Sequence, residues 1–137
     1  MDRYLSRISG PLIDRVDIHV EVPAVPYQQL TGQRNGTSSA TMREQVVNSR
    51  AIQTKRNGGP LRPNSTLTGR ELDKLAPLDA QSQSLLKQAL TELGLSARAY
   101  DKIRRVARTI ADLEGTETIQ THHVAEAVQY RLLDRQV

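Results

Sequence analysis

The chain has 137 residues, of which 37% are apolar, with no Phe, Trp or Cys and four Tyr. This length allows one modest domain with a small aliphatic core, and the lack of cysteine excludes disulfides and thiolate metal sites. The net charge of +4 lies in residues 1–63, which hold nine Lys and Arg against five Asp and Glu, so an anionic partner is allowed but not required. No apolar run approaches the roughly 20 residues that span a membrane and no signal peptide is evident, so we expect a cytoplasmic protein without a membrane partner.

The first part of the chain predicts one isolated strand. Apolar and polar side chains alternate from Val16 to Val22 in the stretch GPLIDRVDIHVEV, as they do in a half-buried strand. A single strand cannot satisfy its own backbone groups, and no other segment offers it a partner. We therefore expect residues 1–22 to be the end of a sheet-containing domain, and the chain to be a C-terminal part of a longer protein.

A linker and a long helix are predicted next. Two prolines and two glycines between Val22 and Ala40 favour a loop, and a helix is expected from about Ser39 to Arg56. The residues expected on its apolar side are Met42, Val46 or Val47, Ala51 and Ile52. The stretch NGGPLRPNST then predicts a second flexible segment.

The second half of the chain predicts four helices joined by short turns. Pro77 stops the first of them, and Asp79, Ser96 and Thr121 are expected to cap the other three. The residues expected to face inward are Leu85, Leu86, Ala89, Leu90 and Leu93, then Ala99, Ile103, Val106, Ile110 and Leu113, then Val124, Ala127, Val128 and Leu132 or Leu133. These stripes predict a mainly α fold, a small four-helix bundle preceded by a flexible segment with one orphan strand.

Three blocks of sequence resemble one family. YLSRISGPLIDRVDIHVEVP, LSARAYDKIRRVARTIADLEG and HHVAEAVQYR occur in the order found at the C-terminal end of the magnesium-chelatase-like AAA+ ATPases of the ComM (YifB) type. The resemblance covers most of residues 4–22 and 64–133. It implies an incomplete nucleotide-binding α/β core over residues 1–23, a linker over 24–38, and a helical lid over 39–134 with a flexible loop at 57–66.

The resemblance implies a catalytic role for Arg15. The arginine just before the last core strand matches the family's arginine finger, so Arg15 would enter the ATP site of the neighbouring subunit. A planar guanidinium stays charged at any useful pH and can bind two phosphate oxygens as charge develops in the transition state. From the residue pattern alone, the alternative is a surface arginine paired with Asp14 or Asp17.

A second arginine, Arg98, resembles the family's sensor-2 arginine on the lid. It lies in the first turn of the helix that Ser96 caps, and contact with phosphate there would couple nucleotide state to lid angle. The alternative is a solvated arginine beside Glu92 or Asp101.

Three other basic residues are considered for the same sites. Lys102 and Arg105 share a helix face with Arg98, so they either extend a nucleotide-binding edge or only solvate the helix. Arg7 also matches the family's first block, and we assign it to the interface between subunits.

The resemblance implies a ring motor that acts on DNA. This chain has no G-x-x-x-x-G-K-[ST] loop, so ATP and Mg²⁺ would bind only to the full-length protein, and we do not expect the chain to hydrolyse ATP by itself. Its partners would be the rest of its own AAA+ core and neighbouring identical subunits, in a hexameric ring that acts on DNA during natural transformation. The alternative within the family is the lid of a true magnesium chelatase subunit, which inserts Mg²⁺ into a porphyrin.

A stand-alone DNA-binding helical module is the alternative from another class. The basic residues that would neutralise phosphates are Arg50, Lys55, Arg56 and Arg62. No aromatic residues are interleaved among them to stack bases, so a solvated, mobile basic arm is the favoured interpretation of this segment.

The three histidines predict no metal site. His122 and His123 are adjacent at the start of the last helix, and neighbouring helical residues point about 100° apart. We interpret His19, which lies between Asp17 and Glu21, as part of the exposed polar side of the strand.

Overall fold

The computed structural model describes residues 10–32 and 36–131. Over these ranges it contains helices and connecting loops but no β-strand, which confirms the mainly helical fold. The α-helices are α1 (Gly10–Arg15), α2 (Tyr27–Thr31), α3 (Ser39–Asn57), α4 (Gly69–Leu75), α5 (Ala80–Glu92), α6 (Ala97–Glu114) and α7 (Thr121–Gln129), and a 3-10 turn covers Asn64–Thr66. None of the helices in the described ranges is both long and apolar enough to cross a lipid bilayer.

Local capping chemistry sets the ends of α5 and α6. Asp79 accepts a hydrogen bond from the backbone N–H of Ser82 at 2.7 Å, and Ser96 accepts one from that of Ala99 at 3.2 Å. Both caps were predicted, because a short polar side chain satisfies an N–H that the first helical turn leaves free. α6 ends at Glu114, and Gly115 caps it. The φ of Gly115 is 75°, in the left-handed region that glycine adopts without strain.

The start of α7 differs from the prediction by one residue. Thr121 is the first helical residue, and Gln120 occupies the N-cap position. The backbone N–H of Gln120 donates to Nδ1 of His123 at 2.9 Å, so a histidine ring in the first turn closes this helix end. The side chain that caps this end thus belongs to the first turn of the helix and not to the residue before it. A Ser, Thr, Asp or Asn at the N-cap position does not mark such an end in the sequence.

α6 is the central helix of the bundle. α3, the 3-10 turn, α4 and α7 all pack against it, and α5 packs on α7. The buried apolar residues that form the core are Leu67, Leu72, Ala76, Leu78, Leu86, Ile103, Ala107, Ala111, Ile119, Val124 and Ala127. Burial of this aliphatic surface is the main apolar contribution to the stability of the bundle.

The buried face of α6 is rotated from the predicted apolar stripe. Leu113 is 49% exposed, and Val106 and Ile110 lie only partly buried at the edge of the core. Ala107 and Ala111 take the central positions instead. Small side chains there let the neighbouring helices approach α6 closely, which larger residues would prevent.

α3 packs on α6 through polar residues, so the predicted apolar side of α3 is wrong. Ser49, Gln53 and Asn57, spaced four residues apart, are the buried positions of this helix. The residues expected to be inward are exposed: Met42, Val46, Val47, Ala51 and Ile52. The reason is hydrogen bonding: Gln53 donates to Ser49 at 3.2 Å and accepts the N–H of Asn64 at 3.1 Å, and Asn57 donates to the side chain of Asn64 at 3.1 Å.

The carboxylate of Asp112 is the centre of this polar contact. It accepts hydrogen bonds from Arg56 of α3 at 2.5 and 2.8 Å, from the amide of Asn64 in the 3-10 turn at 2.8 Å, and from Arg108 of α6 at 3.1 Å. Burial lowers the pKa of Arg108, and the charge of Asp112 opposes that shift. Three donor side chains from three elements thus compensate one buried charge, as the cost of removing a charge from water requires.

The segment predicted as an orphan strand forms no strand. The described residues contain no second strand to pair with it, and two of its backbone groups bond to the helical bundle instead. The N–H of His19 donates to the carbonyl of Tyr130 at 2.9 Å, and Arg131 donates to the carbonyl of Val16. Because Ile13 of α1 is also buried, residues 13–19 are docked on the bundle.

We predict that Asp112→Asn lowers the free energy of unfolding of the 137-residue chain by about 3–5 kcal/mol, because it leaves Arg56 and Arg108 without their carboxylate. Urea denaturation followed by circular dichroism measures this. The matched control is Glu92→Gln, which removes an exposed carboxylate that accepts one hydrogen bond from Gln88, and it should cost less than about 0.5 kcal/mol. Equal losses for the two variants would contradict the central role of Asp112.

Candidate functional site

The end of α1 meets the start of α6, and polar side chains join them. We call this contact the α1–α6 junction; it consists of Asp14, Arg15 and Asp17 on one side and Ser96, Arg98 and Lys102 on the other. Residues that are more than 80 positions apart in sequence meet here, so this arrangement depends on the tertiary fold.

Three contacts define the geometry of the junction. Ser96 donates a hydrogen bond from its hydroxyl to Asp14 at 2.8 Å, while its oxygen also caps α6. Lys102 pairs with Asp17 at 2.5 Å and also donates to the backbone carbonyl of Arg15. The carbonyl of Arg15 and the side chains of Asp14 and Asp17 on either side of it are therefore bonded to α6 and its cap.

The side chain of Arg15 is exposed and makes no hydrogen bond or ion pair with any residue in the described ranges. The alternative from sequence was a pair with Asp14 or Asp17. Both of those carboxylates have partners on α6 instead. Arg15 therefore presents an uncompensated guanidinium on a backbone that is held in place.

Arg98 lies beside Asp14 and not beside the acids considered from sequence. Its guanidinium is 3.6 Å from the second carboxylate oxygen of Asp14, and its side chain is 77% exposed. Neither Glu92 nor Asp101 pairs with it within the part of the chain that the structure describes. The fold thus brings Arg15 and Arg98, the two arginines singled out from the sequence, to the same edge of the molecule.

The other basic candidates occupy different positions. Lys102 belongs to the junction, where it bonds to the α1 end rather than facing open solvent. Arg105 donates to the carbonyl of Leu67 at 2.9 Å and so fixes the turn before α4. Arg7 lies outside the described residues. A nucleotide-binding role for Lys102 and Arg105 stays a prediction.

Sequence reasoning missed the importance of Asp14. It was considered only as a neighbour of Arg15, yet its carboxylate faces Ser96, Arg98 and Arg131. The one available signal was the predicted Ser96 cap, which places Arg98 in a helical first turn. Nothing local indicates that α1 packs against that turn.

A second cluster forms at the other end of α6, where the two adjacent histidines approach one carboxylate. His122 Nε2 is 3.0 Å from Glu114 Oε2, and His123 Nε2 bonds to the same oxygen. The three residues are placed closely enough to resemble a metal site. The prediction that His122 and His123 point apart is therefore wrong, because both rings turn toward Glu114 at the end of α6.

The hydrogen bond from Gln120 to His123 favours a hydrogen-bonded bridge over a metal site in this cluster. Nδ1 of His123 accepts the backbone N–H of Gln120, so its Nε2 carries the proton and donates it to Glu114. A metal ion at that Nε2 would need the lone pair that the proton occupies. These contacts also lower the pKa of Glu114 to about 2, chiefly through the hydrogen bond from His123 and then that from His122.

The basic arm is partly neutralised. Arg56 is bonded to Asp112 and Arg62 to Glu71, so only Arg50 and Lys55 of the four residues considered remain exposed without an acidic partner in the described ranges. Two separate charges on a single helix are a small electrostatic footprint for DNA.

Comparisons with known proteins give a consistent result along the chain. The family described as magnesium chelatase, subunit ChlI C-terminal, matches residues 36–131, and the family described as magnesium chelatase, subunit ChlI, matches residues 1–30. The boundary between the two matches falls in the predicted linker.

Curated proteins similar to this chain include the competence protein ComM of Haemophilus influenzae, which is 44% identical over 135 residues. The uncharacterized proteins YifB of Salmonella typhimurium and Escherichia coli are 40% and 39% identical over 134 residues. Each alignment covers 97% of this chain and 26% of the relative. The chain thus spans about a quarter of the length of these relatives.

We predict that Glu114 titrates with a pKa of about 2, below its ordinary value of 4.5, because both histidines bond to it. Its folded pKa lies below its unfolded pKa, so the contact stabilises the fold above about pH 4.5 and this contribution is lost as the pH falls toward 2. Carbon-13 NMR of the glutamate carboxyls measures the midpoint.

The variant His122→Ala should raise the pKa of Glu114, and His19→Ala, remote from this cluster, should leave it unchanged. A wild-type midpoint near 4.5, or one that His122→Ala does not move, would contradict the bridging arrangement.

Proposed function

This chain belongs to the magnesium chelatase subunit ChlI C-terminal family, and from that premise we propose that it forms the end of the core and the helical lid of a ring-forming AAA+ ATPase. ATP with Mg²⁺ is the substrate of the longer protein. The phosphate-binding loop and the remaining strands come from parts of that protein outside this chain. The chain itself contributes arginines to the ATP sites.

The observation that carries the proposal is that the side chain of Arg15 is exposed and has no partner in the described residues. Its neighbours Asp14 and Asp17 are both engaged by α6, and its own side chain is exposed and unpaired in the described part of the chain. A guanidinium on a fixed backbone with no intramolecular partner is suited to reach the phosphates bound by another subunit. There it stabilises negative charge that develops during phosphoryl transfer.

Arg98 acts in this proposal as the lid residue that senses phosphate. It is exposed, lies in the first turn of α6 and has one distant ionic partner, so it is available to an anion. A helix N-terminus also favours negative charge. α6 is the central helix of the lid. Binding of phosphate to Arg98 would therefore shift α6 and, with it, the helices that pack against it.

The segment after Arg15, which forms neither a helix nor a strand here, supports pairing with a sheet in the rest of the longer protein. Val20 and Val22 are 64% and 77% exposed, more than β-branched residues usually are. We propose that residues 16–22 pair as a strand with the core of the longer protein, which would bury these side chains and satisfy the open backbone groups.

We propose DNA as what the ring remodels, in branch migration during natural transformation. The support is the 44% identity to a protein whose name describes a role in competence. A magnesium chelatase subunit is the second candidate, because the family descriptions carry that name. A stand-alone DNA-binding module is less favoured, since two of the four basic residues that it would use are bonded to carboxylates.

We predict that Arg15→Ala in the full-length protein lowers ATP turnover by about 10³-fold or more, as loss of an arginine finger does in other NTPases. Steady-state phosphate release measures this. Mixing Arg15→Ala subunits with subunits that lack a functional phosphate-binding loop should restore activity, because each then supplies what the other lacks.

The matched control is Arg70→Ala, which removes an exposed arginine of α4 that has no partner in the described ranges and should leave turnover unchanged. Turnover of Arg15→Ala equal to that of Arg70→Ala, or no recovery in mixed rings, would rule out a finger that acts in trans.

We further predict that branched or single-stranded DNA stimulates ATP turnover by the full-length protein, and that the stimulation weakens as salt rises because phosphate contacts release counterions. A porphyrin substrate with Mg²⁺ serves as the comparison. Metalation of the porphyrin without any response to DNA would favour the chelatase candidate.

A further inference from the structure

We propose that Asp14 and Lys102 are positioning residues that couple the contact of Arg98 with nucleotide to the placement of Arg15. This inference rests on the roles proposed above for the two arginines. It concerns how the α1–α6 junction transmits the state of one ATP site to the next, and neither residue needs to touch nucleotide.

Arg15 is held to α6 through its own carbonyl and through the side chains of Asp14 and Asp17. Lys102 bonds to the carbonyl of Arg15 and pairs with Asp17 at 2.5 Å, while Asp14 accepts the hydroxyl hydrogen of Ser96 at 2.8 Å. The side chain of Arg15 extends from this anchored backbone into solvent. Any movement of the start of α6 relative to α1 therefore moves the guanidinium of Arg15.

The contact between Asp14 and Arg98 is the weakest part of the junction. At 3.6 Å it is too long for a hydrogen bond, and the Arg98 side chain is 77% exposed. Exposed ion pairs of this kind contribute little. A phosphate group carries more charge than a carboxylate and binds a guanidinium through two oxygens, so it competes successfully for Arg98.

Breaking that contact changes the environment of Asp14. One carboxylate oxygen stays bonded to Ser96, and the other loses the charge of Arg98. Within the described ranges, Arg131 is the other cation paired with Asp14; it lies 3.7 Å away and is bonded to the carbonyl of Val16. The end of α1 is thus held by one set of charges when Arg98 faces Asp14 and by another when it faces phosphate.

The α1–α6 junction therefore has two arrangements, one with Arg98 on Asp14 and one with Arg98 on phosphate. The contacts of both Arg15 and Arg98 shift the balance between them. Arg98 on phosphate favours one position of α1 and hence of Arg15. By linkage, Arg15 engaged in the neighbouring site changes the nucleotide affinity at Arg98 by the same factor, typically about 5- to 150-fold for coupled sites. The contacts at the α1–α6 junction would therefore allow neighbouring ATP sites to act in sequence.

The test uses ATP turnover by the full-length protein with four variants beside wild type. Asp14→Asn keeps an acceptor for Ser96 but removes the charge that holds Arg98. Lys102→Met removes the anchor of Arg15, and Lys102→Arg keeps its charge and its donors. The matched control is Asp101→Asn, which removes a carboxylate on α6 three residues from Arg98 whose own partner is Arg104 at 4.0 Å.

Asp14→Asn should lower kcat by about 10- to 100-fold, because Arg15 is misplaced in the transition state. It should also lower KM by about two- to fivefold, because Arg98 no longer has to leave a carboxylate. A variant that only loosened the fold would not tighten nucleotide binding. Asp101→Asn should match wild type in both constants.

Lys102→Met should lower kcat with KM unchanged, because it leaves the pair between Asp14 and Arg98 intact. Lys102→Arg should recover most of the lost kcat. Size-exclusion chromatography of each variant checks that the ring still assembles, and the comparison of Met with Arg at position 102 keeps the test valid if Asp14→Asn does not assemble.

Arg15→Ala is measured in parallel to separate this inference from the proposed function. If Arg15→Ala retains full turnover, both fail. If Arg15→Ala is inactive but Asp14→Asn behaves like Asp101→Asn or raises KM, the proposed function stands and the coupling is overturned. Equal defects in Lys102→Met and Lys102→Arg also overturn it.

Discussion

The buried carboxylate of Asp112 constrains how the rest of the bundle is arranged. Charge inside a protein requires compensation, and here Arg56, Asn64 and Arg108 provide it from three different elements. Because these donors must converge on one point, they fix how α3 and the 3-10 turn sit on α6. Together with the core residues Ile103, Ala107 and Ala111, this contact holds α6, whose other end presents Ser96, Arg98 and Lys102 toward α1.

The geometry of the candidate site therefore depends on how α6 packs in the bundle. One helix carries a buried charge cluster near its C-terminal end, small residues in its middle for close packing, and the junction with α1 at its N-terminal end. A rigid helix of 18 residues connects these regions, so a change at one end is carried to the other as a movement of the whole helix. This arrangement is consistent with the phosphate-sensing role proposed for Arg98.

The sequence predicted the local features of the fold and not the faces that pack together. Helix ends at Asp79, Ser96 and Gly115 follow from short-range chemistry, so they could be identified without a structure. The polar face of α3 could not, because Ser49, Gln53 and Asn57 are typical of a solvated surface until their partners across the interface are known. Resemblance identified Arg15 and Arg98, but the partners of Asp14 come from a helix far along the chain.

The polar attachment of α3 also affects what happens when that helix separates from the bundle. Separation would part Arg56 from Asp112 and expose the amide and hydroxyl groups of Gln53, Asn57 and Ser49, but none of the buried residues of α3 is aliphatic. Hydration of such surface changes the heat capacity with the opposite sign to that of apolar surface, and it creates no adhesive patch for aggregation. Detachment of α3 would therefore not carry the aggregation risk that accompanies the exposure of a hydrophobic core.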